Sequence, residues 1–401
     1  MALLPVDEAL RRILDGASAL GTERVDLLAA ADRVLAEDVT ANLTQPPFDA
    51  SAMDGYAVRA ADVASVPAAL EVIGESNAGG PFAGEVGPSQ TVRIFTGASV
   101  PQGADAVVIQ EDTERAGDSL TVREAAKPGA NIRRAGDDFR IGDTLLRAGR
   151  LLDASAITLA AAGGNAGISV RRAPVVAILA TGDELVEPGR TPGPGQIVSS
   201  NPYGLAALVR RFGGEPWLLG IAADTLEDLQ AKLATAADAD ILVTIGGASV
   251  GDRDLVKPAL EARGLALDFW KVAVRPGKPM LFGRLAAQRV LGLPGNPLSC
   301  LIAARLFLVP LMFRLLGRTD APLDERAAVL AHPMEANGPR QHYMRGTLER
   351  VAGALPRVTA LASQDSSHMS ALAAADVLIV RPPDAPAAAP GDTVRVLPLD
   401  F

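Results

Sequence analysis

The feature that most limits what this chain can fold into is the alternation of short apolar runs and amphipathic stretches from Val175 to Leu316. Val175–Ala180, Trp217–Ile221, Ile241–Ile245, Leu267–Val272 and Val290–Leu291 are runs too short for helices and rich in strand formers. Between them, Asn201–Phe212 carries Leu205, Leu208, Val209 and Phe212 on one helical face and stops at Gly213-Gly214. Asp224–Ala236 is the next helix, with Asp224 and Glu227 spaced as a variant capping box, and Leu255–Arg263 follows. Such alternation predicts a parallel sheet with helices on both faces. Ile241–Ile245 reads as a strand buried on both faces, and it runs directly into Gly246-Gly247 and the loop to Asp254. Ligands usually sit beyond the carboxyl ends of such strands, where glycine lets the backbone approach closely. A plain turn is the competing reading.

The flanks have a different texture. Residues 5–14 predict a helix with Val6, Leu10, Ile13 and Leu14 on one face, and a second helical segment is expected at Leu27–Leu35. From 42 to 140, short runs such as Tyr56–Val58, Leu70–Ile73, Thr91–Phe95, Ala106–Ile109 and Leu120–Arg123 predict a β-rich module. Helix-like Leu152–Ala162 follows, so this module reads as an insertion between two parts of a helical linker unit. After Gly317 the helices are expected to stop, and the runs at Val329–Leu330, Tyr343–Val351, Arg357–Leu361, Val377–Val380 and Thr393–Val396 predict a small β domain. The expected division is 1–41 with 141–172, then 42–140, 173–318 and 319–401. The fold class is α/β and β, in several domains.

Length agrees, since 401 residues exceed one ordinary core. A net charge of −9 argues against a general nucleic-acid-binding surface. The single cysteine, Cys300, excludes a disulfide framework or a cysteine metal site within one chain. The three histidines lie in the last fifth, so any metal is expected to be a hard ion held by carboxylates. MALLPVDEALRRIL has no basic segment ahead of its apolar residues, so no signal peptide is read and the cytoplasm is expected. Arg305, Pro310 and Arg314 interrupt the apolar run Leu298–Leu316, which reads as a core helix kinked near Pro310, not a membrane span.

Three loops should meet at one sheet edge: 181–184, 246–254, and 293–297 leading to Ser299. A helix start offers free N–H groups and partial positive charge, so Ser299 lies where an anion would bind. Arg275 and Lys278, on a segment stiffened by Pro276 and Pro279 and preceded by Lys271, add fixed cations. Cations and carboxylates in the same loops suggest a phosphate-containing substrate with Mg²⁺, for which Glu184, Asp224 and Asp254 are candidates. Each has a plainer reading: a helix cap for Asp224, the start of the next helix for Asp254, a solvated turn for the Arg275/Lys278 pair. Outside this unit, SAMDGYA (51–57) and NIRRAGDD (131–138) stand out, the latter also readable as a salt-bridged turn.

In order along the chain, SAMDGYA, RIFTGASVP, NIRRAGDD, LATGDEL, GGASVGDRD, RPGKP and GLPGNP resemble the MoeA family of molybdopterin molybdenumtransferases, which includes the gephyrin E domain. The resemblance spans essentially the whole chain. It implies four domains: a MogA-like α/β domain, a helical linker domain, an inserted β-rich domain and a C-terminal barrel-like β domain. It also implies a homodimer with a composite site. The implied activity inserts molybdate into adenylylated molybdopterin, with Mg²⁺-dependent release of AMP to give molybdenum cofactor. The adenylyltransferase and molybdenum-enzyme acceptors are implied as partners.

Matched motif by motif, Arg275, Lys278 and Ser299, joined by Arg345 and Ser367, resemble molybdate-site residues. Glu184, Asp224 and Asp254 resemble the Mg²⁺ and adenylate group. Asp54, Thr96 and Asp138 resemble functional positions of the inserted module. Lys271 joins Asp54, Asp138 and Asp254 among the catalytic candidates, and Gly246, Gly247, Ser249, Pro294 and Pro297 join the substrate-binding ones. Arg275 stands where a lysine is common, and the spacing from Asp224 to the glycine loop is about one residue short. The rivals are a molybdopterin adenylyltransferase, a nucleotide deamidase of the competence-damage-inducible type, and a gephyrin-like scaffold. The first two lack SAMDGYA and NIRRAGDD in an inserted module.

Overall fold

A computed structural model describes residues 3–246 and 255–400. Gly247, Ser249 and Asp254 lie outside the described residues.

Strand–helix alternation builds a six-stranded sheet in the order Glu215–Ala222, Val175–Thr181, Ile241–Ile245, Gln288–Leu293, Leu281–Leu285, Ala266–Trp270. The first four strands are parallel. The last two run antiparallel to their neighbours, so the all-parallel expectation needs correcting at one edge. The reason is local: Leu281–Leu285 and Gln288–Leu293 form a tight hairpin through Ala286, and a hairpin joins only antiparallel strands. All five residues of Ile241–Ile245 are buried, as its apolar run demands.

Two helix expectations change. Leu27–Leu35 is a series of turns: Asp26 Oδ1 accepts from the Ala29 N–H (2.8 Å), and Asp32 has φ of +60°, which a helix cannot contain. The Leu226–Thr235 helix is capped by Thr225, whose hydroxyl accepts from the Asp228 N–H, so Asp224 is not its cap.

The Pro297–Leu316 helix is long and apolar enough to cross a membrane, yet 94% of its 18-residue apolar stretch is buried inside the protein. The irregularity expected near Pro310 is a π-helical stretch, Ala304–Leu308, just ahead of it, where a proline cannot donate its backbone bond. One continuous core joins this helix to the first helix (Val6–Leu14), to the sheet, and to Tyr343, Leu378 and Val380 of the C-terminal region.

That region is a closed barrel. Gln341–Glu349, Arg357–Ala360, Arg326–Leu330, Thr393–Pro398 and Val377–Arg381 pair in this order, and the last pairs back onto the first. A short helix, Met369–Ala373, interrupts the expected all-β run after Gly317. Residues of the inserted stretch form a separate six-stranded sheet with its own core around Tyr56, Val58, Leu120 and Val122.

Candidate functional site

The strand Val274–Arg275 leaves the sheet–helix unit and pairs in parallel with the barrel strand Gln341–Glu349, matching Val274 to Gln341 and Arg275 to His342. This ladder and the first turn of the long helix enclose a cavity of about 430 Å³ between the unit and the barrel. Arg275, Lys278 and Ser299 line it from one side, and Arg340, His342, Arg345 and Asp365 from the other. Three expected segments that are far apart in sequence therefore share one cavity. Ser367 is not on its wall; its neighbour Ser366 is.

Arg345 is 1% exposed and, among the described residues, has no carboxylate bonded to it. Its guanidinium donates to Asp365 O (3.1 Å) and Ser363 O (2.8 Å), and burial lowers its pKa from the usual arginine value. A buried guanidinium held only by carbonyls retains its charge for an anion. Asp365 is the carboxylate on this wall, and its Oδ1 accepts from the Ser367 N–H (2.9 Å) and hydroxyl (2.8 Å), which holds it below its usual range. The Ser367 hydroxyl is thus committed to Asp365. Burial, with Arg275, Arg340, Arg345 and Arg381 around it, pushes His342 down to about 4. In a chain of net charge −9, four cationic side chains face one carboxylate here among the described residues. Such a cavity is built for a small, multiply charged anion.

A second cavity, about 320 Å³, opens at the carboxyl ends of the parallel strands. Thr181, Glu184, Gly246, Asn201, Asn296 and Pro297 are on its wall. Gly246 has φ of +87°, and a Cβ there would sit 3.1 Å from Thr181 O and Oγ1, so the position requires glycine. Asn201 Nδ2 donates to Gly295 O (2.7 Å), tying the glycine–proline loop to the neighbouring helix. The buried amide oxygens Asn201 Oδ1 and Asn296 Oδ1 have no hydrogen-bond partner among the described residues. Unsatisfied acceptors on a cavity wall suit a ligand with N–H donors or a hard cation. Among the described residues no cluster of three or more His, Cys, Asp or Glu side chains exists. Mg²⁺ needs only one or two carboxylates when phosphate oxygens complete its shell, so Glu184 with amide oxygens nearby is a fitting donor set.

The remaining candidates lie apart. The Asp224 N–H donates to Asp183 Oδ1 (3.0 Å), which places both acids at the sheet edge that carries Glu184. Lys271 lines neither cavity; it has φ of +78° and its Nζ stands 4.3 Å from the Trp270 ring centre. Pro294 is buried behind the loop. In the inserted module, Asp54 Oδ1 accepts from both the Thr96 N–H and hydroxyl (2.8 Å each), joining SAMDGYA to RIFTGASVP. Asp138 is exposed, and its N–H donates to Gln45 O (3.1 Å). The Arg134 guanidinium of NIRRAGDD bridges to Asp49 outside the motif, while its backbone N–H donates to Asp137 Oδ2 (2.7 Å). Sequence reasoning missed Arg340, His342, Asn201 and Asn296. The cation-rich run RQHYMR was a usable signal for the first two, but only once the barrel strand is known to pair with Val274–Arg275.

Three family profiles match in order: "MoeA N-terminal region (domain I and II)" at 4–164, "Probable molybdopterin binding domain" at 177–314, and "MoeA C-terminal region (domain IV)" at 327–399. A molybdopterin molybdenumtransferase of Haemophilus influenzae is 36% identical over 99% of each chain. The chain belongs to the MoeA family. A second MoeA-family relative, the molybdopterin molybdenumtransferase of a Nostoc species, is 39% identical over 94% of this chain and 89% of its own. The crystal structure of the molybdopterin biosynthesis MoeA protein of Pyrococcus horikoshii matches with a TM-score of 0.86 at 30% identity, covering 99% of this chain and all of that one.

Proposed function

We propose that this MoeA-family enzyme inserts molybdate into adenylylated molybdopterin, with release of AMP, as a molybdopterin molybdenumtransferase. The observation that carries the reading is the cationic cavity between sheet unit and barrel. Arg275, Lys278, Arg345 and Ser299 hold the molybdate dianion there, and Arg340 adds a fourth cation. The buried Arg345 guanidinium is fixed by its carbonyl partners before the anion arrives, so little ordering of that side chain is needed on binding.

The second cavity takes the organic substrate. Asn201 and Asn296 supply acceptors for its ring N–H groups, and Gly246 lets the backbone approach its phosphate. Glu184, with Asp224 and Asp254 as further candidates, would hold Mg²⁺, which would supply charge neutralisation at the adenylate phosphate. Asp54, Thr96 and Asp138 act from the inserted module of a partner subunit in a homodimer. The chain works in the cytoplasm as four units (1–41 with 141–172, 42–140, 173–318 and 319–401). It takes its substrate from the adenylyltransferase and passes its product to molybdenum-enzyme acceptors.

The test is purified protein with Mg²⁺, adenylylated molybdopterin and graded molybdate. AMP release is expected to rise and saturate with molybdate; release independent of molybdate would overturn the reading.

A further inference from the structure

His342 is 7% exposed, on the wall of the cationic cavity, and its ring makes no hydrogen bond among the described residues. Its strand neighbours on both sides are arginines: Arg275 across the parallel ladder and Arg381 across the antiparallel one. Arg340 just precedes its strand and Arg345 follows on it, Lys278 comes from the 276–279 turn, and Asp365 comes from the loop opposite. Arg381 donates to the carbonyls of Glu335 and Pro386 and makes no ion pair among the described residues. Asp365 is already bonded twice by Ser367. An imidazole so placed is neutral in the free protein, because a further positive charge would be buried among cations.

A dianion in the cavity reverses that field. We propose that His342 takes up a proton when a tetrahedral oxyanion dianion binds, so that the loaded cavity holds an imidazolium beside the anion. The proposal rests on molybdate occupying this cavity, and it adds a residue and a proton to that reading. The proton comes from solvent and returns there on release, and the imidazolium N–H becomes one more donor to the anion. Molybdate binding then becomes pH-dependent without any change in the anion's own charge. As transfer to the organic substrate removes the oxyanion, His342 gives its proton up and the cavity returns to its receptive state.

The experiment follows the three histidine rings of the full-length protein by NMR, with and without saturating molybdate, assigning each by substitution of His332 and His368. The His342 ring is expected to titrate at least one pH unit higher with molybdate bound. Calorimetry in buffers of different ionisation heat is expected to show proton uptake accompanying molybdate binding. Wild-type affinity is expected to be about tenfold tighter at pH 5 than at pH 7, by linkage from a free value near 4 to a bound value near 6. In His342→Gln that dependence is expected to vanish, and the variant also corrects for protonation of molybdate itself. If molybdate binds but the His342 titration does not move, or His342→Gln keeps the wild-type pH slope, the inference is overturned. If wild-type protein shows no molybdate binding at all, the molybdate reading of the cavity fails first, so the two failures are distinguishable. Should His342→Gln not fold, the wild-type NMR titration decides alone.

Discussion

Asp54 and Thr96 are locked together: one carboxylate oxygen of Asp54 accepts both the backbone N–H and the hydroxyl of Thr96 at 2.8 Å. Two loops from different strands of the inserted sheet are thereby fixed against each other. These bonds hold the Asp54 carboxyl below its ordinary range. A carboxyl depressed in the folded state contributes stability above its unfolded value, and loses it as pH falls through the folded one. Carboxyl NMR is expected to show Asp54 titrating below 3.8, and Thr96→Val is expected to raise it. Asp54→Asn keeps an acceptor oxygen, so the fold is expected to survive. If Asp54 has the proposed role, the maximal rate of AMP release drops in that variant while thermal stability stays near wild type.

Buried His342 makes stability itself depend on pH. Its folded value is pushed down to about 4 from 6.5, so between these limits the unfolded chain binds a proton that the native protein does not. Stability is therefore expected to fall as pH drops from about 6.5 towards 4, by at most about 3 kcal/mol. Urea melts of wild type and His342→Gln at several pH values check this. The variant should lack that component, and an equal pH slope in both would contradict it.

Arg345 is expected to matter twice. Its bonds to Ser363 O and Asp365 O hold the loop on the cavity wall, and its charge faces the cavity. Arg345→Ala should cost about 2–4 kcal/mol in urea melts, from lost charged hydrogen bonds and a buried gap, and should abolish detectable molybdate binding. Arg345→Lys should recover part of the binding but not the forked contact.

Gly55 in SAMDGYA is a packing glycine. A Cβ there would stand 2.0 Å from Val108 O on the adjacent strand, a backbone atom that cannot swing aside. Gly55→Ala is expected to destabilise the protein by roughly 3 kcal/mol or more, seen as a lowered melting temperature. Near-wild-type melting would contradict the close strand approach.

Glu184→Gln is expected to leave folding intact, since the side chain is exposed on the second cavity's wall. Its effect should fall on the Mg²⁺ concentration needed for half-maximal AMP release, raised about tenfold or more for loss of a charged ligand. An unchanged Mg²⁺ requirement would remove Glu184 from the metal site.

Local signals in the sequence reached the elements whose physics is local. The all-buried strand Ile241–Ile245 and the amphipathic first helix were readable because periodicity reports burial directly. Leu27–Leu35 misled because its leucines and alanines favour helix, while Asp26 and Asp32 divert the backbone by side-chain bonding and a left-handed conformation. Asp224 misled by one residue because Thr225 is an equally good cap. The antiparallel edge was hidden because the run at Leu281–Leu285 contains Gly283 and Arg284 and gave no strand signal. The cavity was only partly legible. Arg275, Lys278 and Ser299 were legible from a proline-stiffened segment and a helix start and Arg345 through motif resemblance, but the pairing of Arg275 with His342 joins residues 67 positions apart (342 − 275), which no local pattern encodes. The orphaned oxygens of Asn201 and Asn296 depend on packing and were invisible in the sequence.

The most direct test of the central claim is a crystal structure with molybdate bound, located by anomalous scattering from molybdenum. The anion is expected in the cavity between sheet unit and barrel, within hydrogen-bond distance of Arg275, Lys278 and Arg345. Ordered molybdate elsewhere on the chain, with that cavity holding none, would contradict it.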